Sequence, residues 1–478
     1  MFLFDRDYII HGLLSIGGFS RLVSDFIVQS WYMPLTGPLS ISLILLSIGI
    51  FTQIFLCRSI AKPFAQVLAL VPVAILYFLS YKEDYDFSNM VGGLLVSLSL
   101  ALLSRISNRR RYIIAASPTF ILLVFATGWP AILLTVGALL TFAEPAYKDR
   151  HSRLSPKATM AMLIGALVLV SVFMAFKSPK EQDRLFQELD WYVYKDQPDN
   201  VLKAITKVRQ DNYVYENFTN WALARKGILL DDLFAYPQHN PYSLTLEWRE
   251  IKYTTILLSN IYWLTGNIAL SQRMAFEANV CYDNSNPRML QRLVETNLAY
   301  GEYDVARKYL ERLEKTLPYR KWAIDHKSFL YNGEAVRDDA ILGSAARCIP
   351  DTNALCESKG DICWDLVKAA RSNPDCSAAR EYAGAWMLLK GDIQAIPSFL
   401  DEFYVGKTLP KSLAEAVMIL SESHPELVEQ WNLKSELVSR YEGFKALYDR
   451  NAQSPNLKQK LRREYGDTYW FYLLYFKK

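Results

Sequence analysis

Hydrophobic and polar positions follow different patterns before and after residue 177. The first part contains six uncharged, apolar stretches, at residues 39–57, 64–80, 90–104, 112–128, 130–143 and 158–176. A helix needs about 20 apolar residues to cross a hydrocarbon core of about 30 Å, and the longer stretches approach that length. The pattern therefore predicts a transmembrane helix bundle of about six spans within residues 39–177.

Residues 1–38 contain too many charged and glycine positions for a span. Between Phe19 and Ile27, apolar residues recur at helical spacing, whereas Arg21 and Asp25 fall elsewhere on the helical wheel. This pattern predicts an amphipathic helix in the membrane interface, on the extracytoplasmic side. A short helix packed on the edge of the bundle is the alternative.

Lysine and arginine concentrate in three of the predicted loops, whereas the loop at 82–86 is acidic. The basic residues are Arg58, Lys62, Arg105, Arg109, Arg110, Arg111, Lys148, Arg150, Arg153 and Lys157. Cytoplasmic loops of membrane proteins are enriched in Lys and Arg. If Gly128-Trp129-Pro130 is a turn between two spans, all three basic loops are cytoplasmic and residues 178–478 are periplasmic. If 112–143 is one span, residues 178–478 are cytoplasmic instead.

The predicted spans contain no Asp, Glu, Lys, Arg or His. Transporters and proton relays need ionisable groups at membrane depth, where such groups are costly and therefore diagnostic. Gly92 and Gly93 permit close approach between helices. The spans are thus typical of an anchor in the lipid bilayer, and a transporter is disfavoured.

Residues 178–478 show helical periodicity, so the whole chain is predicted to be all-α, with a soluble helical region after the spans. The segment 293–318 resembles a tetratricopeptide repeat: Gly301 opens a turn, Ala306 allows close helix contact and Pro318 ends the second helix. Similar turns are predicted at Gly266 and Gly391. The pattern favours a repeat-like helical array. An irregular helical bundle that contains one such hairpin is the alternative.

Charge and motifs narrow the functional classes. The formal net charge is +4, and residues 178–478 contain no basic run of the kind that binds nucleic acid. The sequence also lacks a Walker loop, a Gly-x-Ser-x-Gly elbow, a His-Glu-x-x-His motif and a dinucleotide fingerprint. We therefore predict no nucleic-acid partner, no cofactor, and no catalytic or metal-binding residue.

One cluster of polar residues surrounds the loop at 236–241. Its members are Asp231, Asp232, His239, Arg249 and Glu250. Carboxylates beside a histidine can support acid–base chemistry. Such residues more often cap helices and form ion pairs at a surface, and that structural interpretation is preferred here.

Four cysteines fall in an excursion at 348–376 that interrupts the helical pattern. They are Cys348, Cys356, Cys363 and Cys376. Outside the cytoplasm such a cluster favours disulfides, and four cysteines allow three connectivities. Cys348–Cys356 with Cys363–Cys376 is preferred because both loops are local. A zinc site and reduced structural thiols are the alternatives.

The segment 465–476 holds seven aromatic residues. It is predicted to be a capping helix that buries its rings against the last hairpin. Contact between these rings and the membrane interface, where aromatic side chains accumulate, is the alternative.

Several short motifs resemble those of an uncharacterised family of Bacteroidota inner-membrane proteins. They are Phe2-Leu-Phe4 with Asp7-Tyr8, Gly17-Gly18-Phe19, Gln29, Pro34, Leu409-Pro410, Glu415-Ala416 and Thr468-Tyr-Trp-Phe-Tyr472. The resemblance implies several spans joined to a tetratricopeptide-like periplasmic domain, and it brings no known activity or catalytic residue. It also implies a span before Phe2, which agrees with the difficulty of inserting charged residues close to Met1.

Two functional hypotheses follow. The first, which we prefer, is a non-enzymatic inner-membrane scaffold that binds a protein partner in envelope assembly or export through a periplasmic helical-repeat surface. The second is a membrane enzyme acting on a lipid-linked glycan or another envelope substrate, for which the loop at 82–86 offers the only obvious charged groups.

Overall fold

Helices account for all the regular secondary structure that the structure describes, which confirms the all-α prediction. The computed structural model describes residues 1–33, 35–58, 62–81, 85–135, 181–207, 212–247, 252–282, 284–349 and 362–476, with isolated positions between 161 and 168. The chain divides into two compact units. One comprises Met1–Lys180 with Arg312–Ala323, and the other comprises Glu181–Glu311 with Ile324–Lys478.

The first unit begins with seven described helices that have complete bounds. They are α1 Arg6–Leu14, α2 Gly18–Gln29, α3 Thr36–Leu56, α4 Lys62–Leu68, α5 Leu70–Leu79, α6 Ser88–Leu103 and α7 Arg109–Thr127.

Three candidate membrane spans lie among the described residues: Thr36–Leu56, Lys62–Leu79 and Arg110–Thr127. Helix α6 is also apolar but shorter. The predicted span at 130–143 lies outside the described residues from 136 onward, and that at 158–176 lies outside them except for isolated positions. The described helices therefore give several candidate spans, and the last two spans stay predictions.

Apolar side chains cover the outer surface of these helices. Ile114 on α7 is 72% exposed and Leu46 on α3 is 60% exposed, whereas Ser97 on α6 and Thr127 on α7 are buried. Water-soluble proteins rarely expose large contiguous apolar surfaces. This distribution is the one that contact with lipid requires.

The turn between α1 and α2 depends on two adjacent glycines. Gly17 has a φ of 76°, and a Cβ on Gly18 would lie 1.7 Å from the carbonyl oxygen of Gly12. Helix α2 then packs against α6 and α7, with Ser20 and Ser24 buried and Phe26 exposed. Helix α2 thus lies against two helices of its own unit, and its place relative to the membrane stays a prediction.

A break at Gly128 ends α7. Gly128 has a φ of 70°, which favours glycine, and residues Trp129–Ala131 form a short 3₁₀ turn. The indole nitrogen of Trp129 donates to Oδ1 of Asn89 at 2.8 Å, and a Cβ on Gly92 would lie 3.0 Å from Cγ of Pro130. The predicted turn is thus present, while the path beyond residue 135, and with it the topology, stays a prediction.

From Glu181 onward, the described residues form nineteen further helices. They are α8 Glu181–Tyr194, α9 Pro198–Ile205, α10 Tyr213–Lys226, α11 Leu229–Asp232, α12 Lys252–Leu264, α13 Ile268–Cys281, α14 Pro287–Tyr300, α15 Tyr303–Glu314, α16 Arg320–His326, α17 Gly333–Asp338, α18 Leu342–Cys348, α19 Cys363–Ser372, α20 Ser377–Lys390, α21 Ile396–Phe403, α22 Lys411–Leu420, α23 Glu426–Gln430, α24 Ser435–Asn451, α25 Leu457–Tyr465 and α26 Tyr469–Tyr475.

Left-handed glycines end the helices where the sequence predicts turns. Gly266 and Gly301 have φ values of 75°, and Gly391 has a φ of 69°. This conformation carries little cost for glycine and lets the last carbonyls of each helix find partners. Helix α12 packs on α13 across the turn at Gly266, and α20 packs on α21 across the turn at Gly391. These two turns therefore join helices that pack on each other.

Long-range contacts join the ends of the second unit. A single hydrophobic core extends from Leu185 on α8 to Tyr472 on α26. Arg288 on α14 also pairs with Asp190 on α8, with 2.5 Å between Nη1 and Oδ2. Contacts between helices that are remote in the sequence therefore stabilise the second unit, in addition to contacts between consecutive helices.

Helix α26 lies inside the fold. Tyr469, Trp470, Phe471 and Tyr472 are all buried. The Tyr472 hydroxyl donates to the carbonyl oxygen of Leu389 at 2.8 Å, so this ring has a polar partner within the core. The prediction of a buried capping helix is confirmed for these four rings.

Candidate binding groove

The predicted polar cluster is divided among separate partners. Asp231, on α11, accepts the backbone N–H of Lys411 at 2.9 Å and so caps α22. Asp232 follows it on α11, and His239 pairs with Glu216 on α10. Arg249 and Glu250 lie outside the described residues. Asp231 therefore caps a helix, and the carboxylate that contacts His239 belongs to Glu216, which is not a member of the predicted cluster.

Sequence reasoning missed the Glu216–His239 pair. Nδ1 of His239 lies 2.5 Å from Oε1 of Glu216, whose side chain is fully buried. The hydroxyl of Tyr472 also approaches the backbone carbonyl of His239, at 3.2 Å. The buried Glu216 carboxylate orients the ring of His239, and it has no exposed surface to offer a substrate.

Helix α10 has a buried face that carries polar residues, and two asparagines on it show what these residues do. The amide of Asn217 donates to the carbonyl of Tyr242 and accepts the backbone N–H of Leu246. The amide of Asn220 donates to the carbonyl of Ser243 at 2.8 Å. Buried backbone groups outside regular structure need such partners. The polar face of α10 therefore holds the irregular segment 236–246 in place.

Two further buried carboxylates cap helices. Oε2 of Glu381 accepts the backbone N–H of Leu229 at the start of α11, and Oε2 of Glu415 accepts that of Tyr469 at the start of α26, both at 2.7 Å. Burial raises the pKa of each carboxyl to about 7. Raised pKa values often mark active sites, but both carboxyl groups are buried and each caps a helix through Oε2.

The second unit contains a groove of about 1010 Å³ among the residues that the structure describes. Its walls are α11, the end of α21, the loop 404–410, the start of α22, and the turn between α23 and α24. The lining residues are Asp231, Asp401, Val405, Gly406, Lys407, Thr408, Leu409, Lys411, Ala414, Gln430, Trp431, Asn432, Leu433, Lys434, Ser435 and Leu437. We call this surface the 405–435 groove.

Two left-handed residues shape its rim. Gly406 has a φ of 73°, and Asn432, one of the few side chains that adopt this conformation readily, has a φ of 45°. They turn the chain sharply beside Val405 and Trp431. The side chains of Val405 and Trp431 therefore line the groove next to these two turns.

The groove has mixed charge. The ammonium of Lys411 is paired with Asp467 at 2.7 Å, and that of Lys407 donates to the carbonyl of Phe403. Lys434 is exposed on the opposite wall, and Asp401 is exposed beside the loop. Apolar, cationic and anionic groups thus alternate along one surface, which suits a ligand that carries several kinds of side chain.

A smaller cavity of about 320 Å³ lies beside α24 and α26. Tyr441, Phe444 and Trp470 line it. The ammonium of Lys445 lies over the Tyr441 ring and pairs with Glu422 at 3.0 Å. A side chain of the protein already uses this aromatic surface, so the 405–435 groove is the better candidate.

The cysteines are arranged differently from the preferred pairing. Cys348 is buried, Cys363 and Cys376 are half-buried, and Cys356 lies outside the described residues. Cys376 lies close to Cys348, whereas Sγ of Cys363 lies 3.9 Å from the carbonyl oxygen of Ala383. Cys348, Cys363 and Cys376 are free thiols in the structure. Both disulfides of the preferred pairing stay predictions.

Metal binding finds no support in the described residues, where no group of three or more His, Cys, Asp or Glu could hold a metal ion. The groove itself was missed in the sequence because its walls are remote in the chain. Two signals were available: Leu409-Pro410, which breaks a helical pattern, and Trp431-Asn432, an aromatic beside a turn-forming residue.

Comparison with known proteins gives a family but no activity. No curated protein sequence and no solved structure matches the chain. One family model matches residues 1–182 and again residues 158–476, which together include both units. Over nearly its whole length, the chain belongs to the family described as a family of unknown function, DUF6057.

Proposed function

We propose that this protein is a scaffold of the bacterial inner membrane whose periplasmic helical domain binds a protein partner in envelope assembly or export. The observation that carries the proposal is the 405–435 groove, about 1010 Å³ in volume, in a chain that also contains candidate membrane spans. Helical arrays commonly bind partners on extended concave surfaces. The spans then hold that surface at the bilayer.

The groove chemistry favours a polypeptide segment. Val405 is 68% exposed, and it shares the groove with Trp431 and with the exposed ammonium of Lys434. Protein interfaces combine aromatic and aliphatic anchors with a charged rim. The expected ligand is an extended polypeptide segment. One of its apolar side chains packs against Val405 and Trp431, and one of its carboxylates pairs with the ammonium of Lys434.

The enzyme hypothesis, action on a lipid-linked glycan or another envelope substrate, has less support. Such chemistry needs an acid or base that reaches the substrate. Glu216, Glu381 and Glu415 are buried and hydrogen-bonded as orienting or capping groups. In the acidic loop at 82–86, residues 82–84 lie outside the described residues.

Site-specific photo-crosslinking tests the groove. A photoreactive amino acid at Val405 is expected to give one discrete protein adduct in intact cells, which Lys434→Glu weakens. The matched control is Ile341, an apolar residue that is 62% exposed and does not line the groove. The same adducts from both positions, or an adduct insensitive to Lys434→Glu, would contradict binding in the groove.

Thiol labelling tests the compartment. Ser435→Cys places a thiol on the exposed groove rim, and Cys57, which is exposed at the end of α3, belongs to a predicted cytoplasmic loop. In spheroplasts, a membrane-impermeant maleimide should modify Cys at 435 and leave Cys57 intact until the membrane is permeabilised. Protection of both thiols until the membrane is permeabilised would place the helical domain in the cytoplasm.

A further inference from the structure

The ends of two helices bring two thiols together. Cys348 is the last residue of α18, and Cys376 directly precedes α20. The two thiols lie close enough to shift each other's pKa, and both sulfurs lie beside the turn that ends α12: Sγ of Cys376 is 3.8 Å from the carbonyl oxygen of Leu264, and Cys348 contacts Gly266. The segment between them contains the residues 350–361 that lie outside the described ranges, so the contact joins the two ends of the cysteine-containing excursion.

Neighbouring residues fix this contact. The amide of Asn373 donates to the carbonyl oxygen of Ser344 at 3.2 Å and lies 3.5 Å from Sγ of Cys348. Sγ of Cys376 lies 3.8 Å from the carbonyl oxygen of Leu264, at the end of α12. Each sulfur therefore has a defined position within the packed helices.

The turn after α12 closes over the pair. Gly266 has a φ of 75°, and a Cβ there would lie 2.7 Å from Sγ and 2.8 Å from Cβ of Cys348. No side chain can fit between the turn and the sulfur. Cys348 is thus sealed, at 2% exposed, whereas Cys376 is half-buried and is the more accessible of the two.

The surroundings also distinguish the two thiols chemically. The hydrogen bond from Cys348, together with the backbone N–H of Ala379 and the charge of Arg380, lowers the pKa of Cys376 to about 7. The same hydrogen bond, with burial, raises the pKa of Cys348. The thiolate is the reactive form of cysteine, and a position at a helix N-terminus favours that form. Cys376 is therefore the attacking group and Cys348 the resolving group.

We propose that Cys348 and Cys376 are a redox pair that forms a disulfide between the end of α18 and the start of α20. The oxidant is a small-molecule or protein disulfide. The Cys376 thiolate attacks one sulfur of that disulfide and releases the other as a thiolate, which takes up the proton that Cys376 lost on ionising. Cys348 then attacks Sγ of the mixed disulfide, losing its proton to the second departing thiolate. Two protein thiols and one external disulfide thus give one protein disulfide and two thiols.

The connectivity is that of the outermost pair, which leaves Cys356 and Cys363 inside the closed loop. The inference does not depend on the proposed function, because it rests on contacts within the second unit. In an oxidising compartment the disulfide would stay formed, and in a reducing compartment both cysteines would stay thiols.

Peptide mapping after redox titration tests the pairing. The full chain in detergent is equilibrated with mixtures of oxidised and reduced glutathione, alkylated, and digested with trypsin and an enzyme that cuts before Asp. Cleavage before Asp351 separates Cys348 from Cys356. The expected product is a peptide pair joined through Cys348 and Cys376. A dominant Cys348–Cys356 or Cys363–Cys376 pair, or no disulfide at the most oxidising ratio, would overturn the proposal.

Matched variants separate this pair from the remaining cysteines. Cys376→Ser should abolish the disulfide, whereas Cys363→Ser should leave it unchanged. The alkylation rate of Cys376 should reach half its maximum near pH 7 and move to higher pH in Cys348→Ala, because that change removes the hydrogen-bond donor. An alkylation profile that is the same in the wild type and in Cys348→Ala would show that the two thiols do not interact.

Discussion

Oε2 of Glu415 lies 2.7 Å from the backbone nitrogen of Tyr469, and the indole nitrogen of Trp470 donates to the carbonyl oxygen of the same glutamate at 2.8 Å. One residue on α22 thus holds the start of α26 through both its side chain and its backbone. Oε1 of Glu415 has no hydrogen-bond partner among the residues that the structure describes. The buried carboxylate therefore caps α26 through Oε2 alone.

Glu415→Ala should lower the stability of the second unit. The change leaves the backbone N–H of Tyr469 buried without a partner, which typically costs about 1–3 kcal/mol. Thermal unfolding of the detergent-solubilised chain, followed by tryptophan fluorescence, measures the effect. Glu426→Ala is the control: that glutamate is exposed, and its loss should change the free energy of unfolding by less than about 0.5 kcal/mol.

Stability should fall as pH rises through neutrality. Burial raises the pKa of Glu381 and Glu415 from 4.5 to about 7, so each folded carboxyl holds a proton that the unfolded chain has already released. Their contribution to stability is complete below about pH 4.5 and is lost as pH rises through 7. Melting temperatures from pH 5 to pH 8 should therefore fall more steeply for the wild type than for Glu415→Gln. Parallel curves for the two proteins would show that Glu415 does not titrate in this range.

Two glycines with the same φ separate backbone strain from crowding. Gly266→Ala and Gly301→Ala both place a side chain at a φ of 75°, which costs about 1–2 kcal/mol. A Cβ at 266 also meets Cys348, whereas one at 301 meets nothing within 4 Å. Gly266→Ala should therefore destabilise the chain more than Gly301→Ala in the same denaturation assay. Equal losses would mean that the Cys348 side chain moves away at little cost.

The rings of α26 should differ in what they contribute. Tyr472→Phe removes the hydrogen bond to the carbonyl of Leu389 and should cost about 0.5–1.5 kcal/mol. Trp470→Ala empties a buried site and should cost about 3–5 kcal/mol. Tyr448→Phe, at a partly exposed ring, serves as the control. Limited proteolysis near residue 466 should accelerate in the order Tyr448→Phe, Tyr472→Phe, Trp470→Ala.

Local rules predicted much of the fold. Apolar length located α3 and α7, and glycines at helix ends located the turns at 266, 301 and 391, because only a residue without a Cβ adopts that backbone conformation freely. Aromatic density located the buried helix α26. Each of these features is decided by a few consecutive residues.

Features that depend on distant residues were not predictable. In the sequence, Glu216, Asn217 and Asn220 resemble a solvated helix face, whereas in the structure all three are fully buried and have partners in the irregular segment 236–246. Cys376 lies close to Cys348, which is remote in the chain, because both residues pack beside the end of α12; the sequence alone favoured local pairing. The 405–435 groove likewise exists only after α11 and α22 have packed together.

The contacts of α26 have a consequence for biosynthesis. Tyr469 and Tyr472 share one core with residues as early as Leu185, while Trp470 and Phe471 complete a second core with Tyr441. A simple repeat array can acquire structure one hairpin at a time as the chain emerges. Here the last helix seals both cores, so the domain must remain open until residues near 475 are synthesised and, in the proposed topology, carried across the membrane. Any factor that assists its folding would therefore act after the chain has emerged, on a nearly complete domain.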